Sequence, residues 1–252
     1  SAELLAQAAQ VWLGVPPERV TVLQHPTHDD LQRFLTQTLP ARLAPDDQVL
    51  FYLGTHQMKD GRLLLGQQTL TNAPELVTWL AAIPGPTLLL ADVCYGAAME
   101  DRARFPGTVQ RLYASLADEP TPELWVGGRM PSVDRYFAVT LALARAELGH
   151  PVTRISQTGM LALDTLRRQM QTGAGPLRAD TWLADLAASH QAFRRYMNSL
   201  RRPTALLVNP QPWELAQANH YRPPGSWVAP APSVASAVRD THSAAWVCAG
   251  EP

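Results

Sequence analysis

Two apolar runs, each followed by a chemically reactive side chain, stand out in the hydrophobic pattern. The first run is Val49 to Leu53, and it leads through a glycine and a threonine to His56. The second is Thr87 to Ala91, and it leads to Cys94. Short continuous apolar runs of this kind are typical of buried strands. Between them, Glu75 to Ile83 has helical spacing, so the segment predicts a βαβ unit with parallel strands.

The ends of these two predicted strands carry the candidate chemistry. Ligands of parallel sheets bind just beyond the carboxyl ends of the strands. We therefore expect His56 and Cys94 to emerge at one edge, roughly 5 Å apart if their strands are neighbours. Cysteine is a nucleophile only as a thiolate, which a nearby histidine generates. Gly54 permits a tight turn, and Gly96 leaves room for a substrate and for N–H groups that face an oxyanion.

The rest of the chain predicts more strands and helices around this unit. Helical spacing occurs at residues 3–13, 27–39, 132–148, 156–170 and 182–200. Strand-like runs occur at residues 19–24, 62–65, 109–116, 123–126 and 204–209. This alternation predicts an α/β fold with a mostly parallel sheet, helices on both faces and a helical C-terminal part. Residues 1–209 form the predicted α/β domain, and residues 210–252 form a tail rich in Pro, Ala and Ser.

Composition narrows the classes of function and location. The net charge of −1 argues against binding to nucleic acid or to a membrane surface through bulk charge. No apolar run approaches the roughly 20 residues of a membrane span, and no signal-peptide pattern is visible. Cys94 and Cys248 do not form a disulfide framework, which favours a reducing, cytoplasmic compartment. The sequence has neither zinc-ligand spacing nor a glycine-rich phosphate loop.

The two strand ends resemble a known peptidase family. FYLGTH followed by LLLADVCYG is similar to the caspase–legumain cysteine peptidases, which include the metacaspases, over roughly residues 3 to 170. The resemblance implies a caspase-like sheet and cleavage of protein or peptide substrates by a Cys94–His56 dyad, with no cofactor. It also implies an oxyanion hole formed by the backbone N–H groups of Gln57 and Cys94. Asp92 matches the metacaspase pattern Asp-x-Cys, in which the aspartate lines the pocket for a basic substrate residue.

Two departures from the family pattern leave alternatives open. The usual His-Gly is here His56-Gln57, and the usual Cys-x-Ser-Gly is shortened to Cys94-Tyr95-Gly96. A catalytically silent caspase-like interaction module, within a larger signalling or defence protein, fits these changes. A flavodoxin-like domain with an unrelated ligand is a third interpretation. Cys94 and Asp92 also have purely structural interpretations. Cysteine is often a core residue, and an aspartate at a strand end often caps a turn.

The predicted start of the domain differs from that of the family. Family members open with a buried strand, whereas this sequence is helical from Glu3. A gap in a parallel sheet would leave unpaired backbone groups and uncovered apolar side chains. The apolar run Ala244 to Ala249 has the length of a strand, and we hypothesise that it occupies this position, as in a circular permutation. The alternative is that the first strand lies upstream and that the tail stays apart from the sheet.

Overall fold

A parallel sheet with helices against both faces is the centre of the fold. The computed structural model describes residues 1–44, 47–66, 69–121, 123–125, 136–150, 152–172, 179–199 and 244–250. Within these ranges the helices are α1 (Ala2–Leu13), α2 (His28–Arg33), α3 (Ala73–Leu80), α4 (Met99–Arg102), α5 (Ala138–Glu147), α6 (Gln157–Thr172) and α7 (Ala179–Ser199). The strands are β1 (Val20–Gln24), β2 (Gln48–Gly54), β3 (Arg62–Leu65), β4 (Thr69–Asn72), β5 (Thr87–Asp92), β6 (Val109–Tyr113), β7 (Glu123–Trp125), β8 (Arg154–Ser156) and β9 (Ala244–Gly250). The prediction of an α/β chain is confirmed.

The main sheet has the strand order β1-β9-β2-β5-β6, and all of its neighbouring pairs are parallel. In its middle, β2 pairs with β5 from Val49 opposite Thr87 to Gly54 opposite Asp92. The chain passes from β2 to β5 through the β3–β4 hairpin and α3, as the sequence predicted for a βαβ unit. Two short strands, β7 and β8, form a separate antiparallel pair.

Alternating side chains of the central strands divide the core into two layers. From β2, Phe51 and Leu53 pack on one face of the sheet together with buried residues of α2, α3 and α4. Leu50 and Tyr52 pack on the opposite face, against buried residues of α1, α5, α6 and α7. Both faces of β5 are likewise buried. Burial on both sides explains why these strands read as continuous apolar runs rather than as alternating ones.

Local signals in the sequence define several helix ends. Helix α1 ends at Gly14, whose φ of 65° is the left-handed conformation that glycine tolerates best. Helix α2 begins with a capping box in which Thr27 and Asp30 exchange hydrogen bonds. Helix α3 begins with an equivalent box between Asn72 and Glu75. These side chains accept N–H groups that a helix leaves unpaired at its first turn.

Three predicted elements are shorter than expected. The helix predicted for residues 27–39 is α-helical only to Arg33 and continues as a wider turn over Phe34–Thr38. There the Thr36 hydroxyl donates to the carbonyl of Gln32. Pro40 has no backbone N–H and therefore cannot donate a helical hydrogen bond. The helix predicted to end at residue 83 ends at Leu80, four residues before Pro84. The strand predicted for 109–116 ends at 113, because the chain then turns toward β5.

Several predicted segments lie wholly or partly outside the described residues. These are the strand at 204–209, most of the tail from 210, and the first residues of the helix at 132–148. The division into a domain at 1–209 and a tail at 210–252 stays a prediction. Among the helices of the described ranges, none has the length and apolar composition needed to cross a lipid bilayer.

One buried histidine links the stability of the fold to pH. His190 lies on α7 and is completely shielded from solvent. Burial lowers its pKa to about 3, because removal from water disfavours the charged imidazolium. An unfolded histidine has a pKa of about 6.5. The folded chain therefore binds fewer protons than the unfolded chain between these two values.

We expect the free energy of unfolding to decrease as the pH falls below about 6.5, by about 1.4 kcal/mol per pH unit until it nears the folded-state pKa. Urea unfolding between about pH 7 and about pH 5 measures this slope. His190→Leu should flatten the slope, whereas His25→Gln, a change at a loop histidine, should preserve it. Equal slopes in the wild type and in His190→Leu would contradict this assignment.

Candidate active site

The register of the two central strands brings the predicted catalytic residues to one edge of the sheet. Gly54 at the end of β2 lies directly opposite Asp92 at the end of β5. His56 and Cys94 each stand two residues beyond this pair. They therefore occupy equivalent places on neighbouring loops at the carboxyl edge of the sheet, which is where parallel sheets bind ligands.

Gly54 is required by a close approach rather than by an unusual backbone angle. A Cβ atom at this position would lie 2.8 Å from the Tyr52 ring and 3.0 Å from its hydroxyl oxygen. Real Cβ atoms essentially never approach other atoms so closely. A larger residue at Gly54 would therefore displace the Tyr52 ring, which packs beneath the edge where His56 begins its loop.

The histidine loop is held by the β3 strand. Leu64 N donates to His56 O at 2.8 Å, and Met58 N donates to Arg62 O at 2.8 Å. These two bonds lie on either side of Gln57, which faces Leu63 in an antiparallel bridge. A residue between two such bonds directs its own N–H and C=O away from the partner strand. The Gln57 N–H therefore points away from β3, as a donor to an oxyanion must.

The cysteine loop turns sharply and uses most of its amide groups. Tyr95 N donates to Glu119 O at 2.8 Å, and Gly96 N donates to Ser115 Oγ at 3.0 Å. The next amide, of residue 97, donates to the Ser115 carbonyl at 3.2 Å. Within the described part of the chain, the backbone N–H of Cys94 has no such acceptor. The oxyanion role predicted for the cysteine amide stays a prediction.

A segment that follows β6 packs against the cysteine loop, and no sequence pattern predicted this contact. The Ser115 hydroxyl donates to Val93 O at 2.8 Å while it accepts from Gly96 N, so it connects the two ends of the turn. Farther along, Thr121 N donates to Cys94 Sγ at 3.4 Å. Cys94 itself is partly exposed. An N–H donor directed at sulfur favours negative charge there, so this contact suits a nucleophile.

Asp92 lies beneath the site in a polar cluster. Its side chain is 6% exposed and accepts hydrogen bonds from the Tyr52 hydroxyl, at 2.5 Å, and from the Ser156 hydroxyl. Burial, with the Asp92 charge as the next contribution, raises the pKa of Tyr52 well above its ordinary value. Tyr52 is therefore a hydrogen-bond donor to the carboxylate at neutral pH. Hydroxyl donors hold a carboxylate in place without cancelling its charge.

Two other histidines follow the amino-terminal strand, whose carboxyl end is level with that of β2 but lies two strands away from it. His25 follows β1 and lines a shallow groove between that strand and α2. His28 is bonded to Asp29 at 3.0 Å and packs edge-on against Trp79. In the ranges that the structure describes, no group of three or more His, Cys, Asp or Glu side chains is arranged to hold a metal ion.

The predicted site residues thus fall into one region, and the structure adds four residues that contact it. His56, Gln57 and Cys94 lie on neighbouring loops, with Asp92 at the end of β5 below them. The residues that the sequence did not predict are Tyr52, Ser115, Thr121 and Ser156. Only Tyr52 left a trace in the sequence, as a polar group inside an apolar strand.

Comparisons with known proteins give the chain no family. No protein-family model matches it, and a search of the curated proteins finds no match. The function is therefore argued from the chemistry of this edge of the sheet.

Proposed function

We propose that the chain is a cysteine endopeptidase with a caspase-like fold, in which Cys94 and His56 form the catalytic dyad. The observation that carries this proposal is the parallel pairing of Gly54 with Asp92. It puts His56 and Cys94 at equivalent places beyond the ends of neighbouring strands. A cysteine and a histidine on adjacent loops at this edge are the arrangement that nucleophilic catalysis requires. The partial exposure of Cys94 is consistent with access for a substrate.

The proposed mechanism is acyl transfer from a peptide substrate to the Cys94 thiolate. The histidine accepts the thiol proton, and Cys94 Sγ attacks the scissile carbonyl carbon of a peptide. The backbone N–H groups of Cys94 and Gln57 stabilise the resulting oxyanion. When the tetrahedral intermediate collapses, His56 gives its proton to the leaving amine. Water then hydrolyses the thioester and regenerates the free thiol.

We further propose that the fold is the permuted caspase-like sheet suggested by the sequence. Strand β9 lies between β1 and β2, and it is parallel to both. A strand in this position corresponds to the buried strand with which family members open. The proposal therefore assigns residues 244–250 the role of that strand, with the preceding part of the tail as the connection.

The alternative is a catalytically silent interaction module, and two observations favour it. A buried Gln57 side chain fills the space that the family leaves open with glycine. The segment that contains Thr121 also lies against Cys94 Sγ and narrows the approach to it. A module of this kind would bind peptides or other domains of a larger chain without cleaving them.

A peptide electrophile distinguishes these two functions. We expect a peptidyl acyloxymethyl ketone with arginine next to the reactive group to label Cys94, because the probe needs both a nucleophilic sulfur and a bound peptide. Intact-mass analysis and peptide mapping locate the adduct. Cys94→Ala should abolish labelling, and Cys248→Ser should leave it unchanged. A protein that is folded but unlabelled at Cys94 would instead be the silent module.

Asp92 is proposed to select substrates with arginine or lysine before the cleaved bond. A desolvated carboxylate pairs well with a guanidinium, and loss of such a pair costs about 2–5 kcal/mol. We therefore expect Asp92→Asn to lower kcat/KM for arginine peptides by about 30-fold or more. Asp101→Asn, a change of an exposed acidic residue near the site, should have little effect. A wild-type preference for aspartate peptides would refute the assignment.

The permuted strand predicts a strong dependence on the C-terminal residues. Deleting residues 244–252 removes the hydrogen bonds that β9 forms with β1 and with β2. Each of these bonds is worth about 1 kcal/mol. At about 2–4 °C per kcal/mol, the melting temperature should fall by about 10 °C or more. Hydrogen exchange in Val49 to Leu53 should also become faster. Deleting residues 251 and 252 alone is the control, and unchanged stability in the longer deletion would rule out the permuted strand.

A further inference from the structure

Gln57 joins the histidine loop to the cysteine loop through its side chain. Its Nε2 donates to Tyr95 O at 3.2 Å, although 38 residues separate the two positions. Gln57 is 4% exposed, and the hydrogen bond lies in a partly buried position because Tyr95 is half-buried. Its other amide atom, Oε1, is buried and has no hydrogen-bond partner among the described residues.

Packing alone does not account for this amide. A buried polar atom without a partner costs about 1–3 kcal/mol. An apolar side chain of similar length, such as methionine, would fill the same space without that cost. The feature that methionine could not supply is the hydrogen bond from Gln57 Nε2 to the Tyr95 carbonyl.

Tyr95 is the residue whose backbone most needs such support. Its φ of 56° and ψ of 27° lie in the left-handed region, which costs a residue with a side chain about 1–2 kcal/mol. Hydrogen bonds from Ala98 N at 2.9 Å and to Glu119 O at 2.8 Å hold Tyr95 from its own side of the site. Gln57 holds it from the side of the histidine.

We propose that Gln57 is a positioning residue that keeps Tyr95 in the left-handed conformation and so fixes the preceding Cys94 relative to His56. The Tyr95 turn sets the direction of the Cys94 amide, which has no acceptor among the described residues. As far as catalysis is concerned, the inference rests on the proposed function. In that reaction, Gln57 aligns the two oxyanion donors, which are the backbone N–H groups of Cys94 and Gln57. The family's glycine could not make this contact, so Gln57 replaces a flexible position with a link between the loops.

A double-mutant cycle tests the link. Gln57→Met removes the donor while it preserves the length of the side chain, and Tyr95→Gly removes the penalty for positive φ. We expect Gln57→Met to lower kcat for peptide cleavage about 10-fold or more and to change KM by less than about threefold. In the Tyr95→Gly background, the same change should lower kcat by less than about threefold, because glycine keeps the turn unaided.

The control variant is Gln110→Met on β6. This glutamine also has a buried Oε1 without a partner in the described ranges, but it pairs with Leu88, near the opposite end of the strands. It should leave kcat unchanged. Melting temperatures of all variants show whether they are folded, and equal losses of kcat from Gln57→Met in both Tyr95 backgrounds would overturn the proposal.

A second readout keeps this test independent of peptidase activity. The rate at which iodoacetamide alkylates Cys94 reports the geometry around the sulfur even in a protein that cleaves nothing. In the wild-type background, Gln57→Met should change this alkylation rate about fivefold or more. In the Tyr95→Gly background, the same substitution should change the rate much less. Suppression in a protein without peptidase activity would support the positioning role and reject the peptidase. Identical rates in the wild type and in Gln57→Met would reject the positioning role itself.

Discussion

The candidate site depends on the register between β2 and β5. A shift of either strand by one residue would separate Gly54 from Asp92 and would turn every side chain of that strand to the opposite face. The register is specified by burial on both sides of the sheet, since Phe51 and Leu50 pack into different core layers. The same apolar packing that stabilises the fold therefore determines which two loops meet at the carboxyl edge.

Beyond the strands, hydrogen bonds rather than apolar contacts define the shape of the site. Ser115 connects both ends of the cysteine turn, and Gln57 connects that turn to the histidine loop. Farther from the sulfur, Arg102 of α4 donates to the carbonyl of Lys59 at 3.3 Å and to that of Asp60. Two separate links thus join the histidine loop to the segment that contains and follows Cys94. The Gln57 link is partly buried beside the proposed nucleophile, and the Arg102 link is at the surface. Loops tied in this way present their reactive groups with little loss of conformational entropy on binding.

The sequence was sufficient for the features that depend on local pattern. The runs Val49 to Leu53 and Thr87 to Ala91 predicted the two central strands, and the intervening helix followed from its spacing. The position of Cys94 at a strand end followed from the same pattern. A resemblance in two short motifs suggested the chemistry, and this part of the account remains a proposal.

The contacts that shape the site could not be predicted, because they join distant parts of the chain. Thr121 reaches Cys94 Sγ across 27 residues, and Ser156 reaches Asp92 across 64. Neither pair has a signature in composition or periodicity. Gln57 was noticed only as a departure from glycine, since the direction of its side chain depends on the β3 strand and on the turn at Tyr95. Side-chain hydrogen bonds of this kind follow from the fold and not from local propensity.

The central claim is that Cys94 and His56 act as one unit. The most direct test compares peptide hydrolysis by the wild type, Cys94→Ala, His56→Ala and the double variant. If the two residues act together, each single change should lower kcat by at least about a hundredfold, and the double variant should lose little more than Cys94→Ala alone. Wild-type activity in His56→Ala, or hydrolysis that persists in Cys94→Ala, would contradict the account.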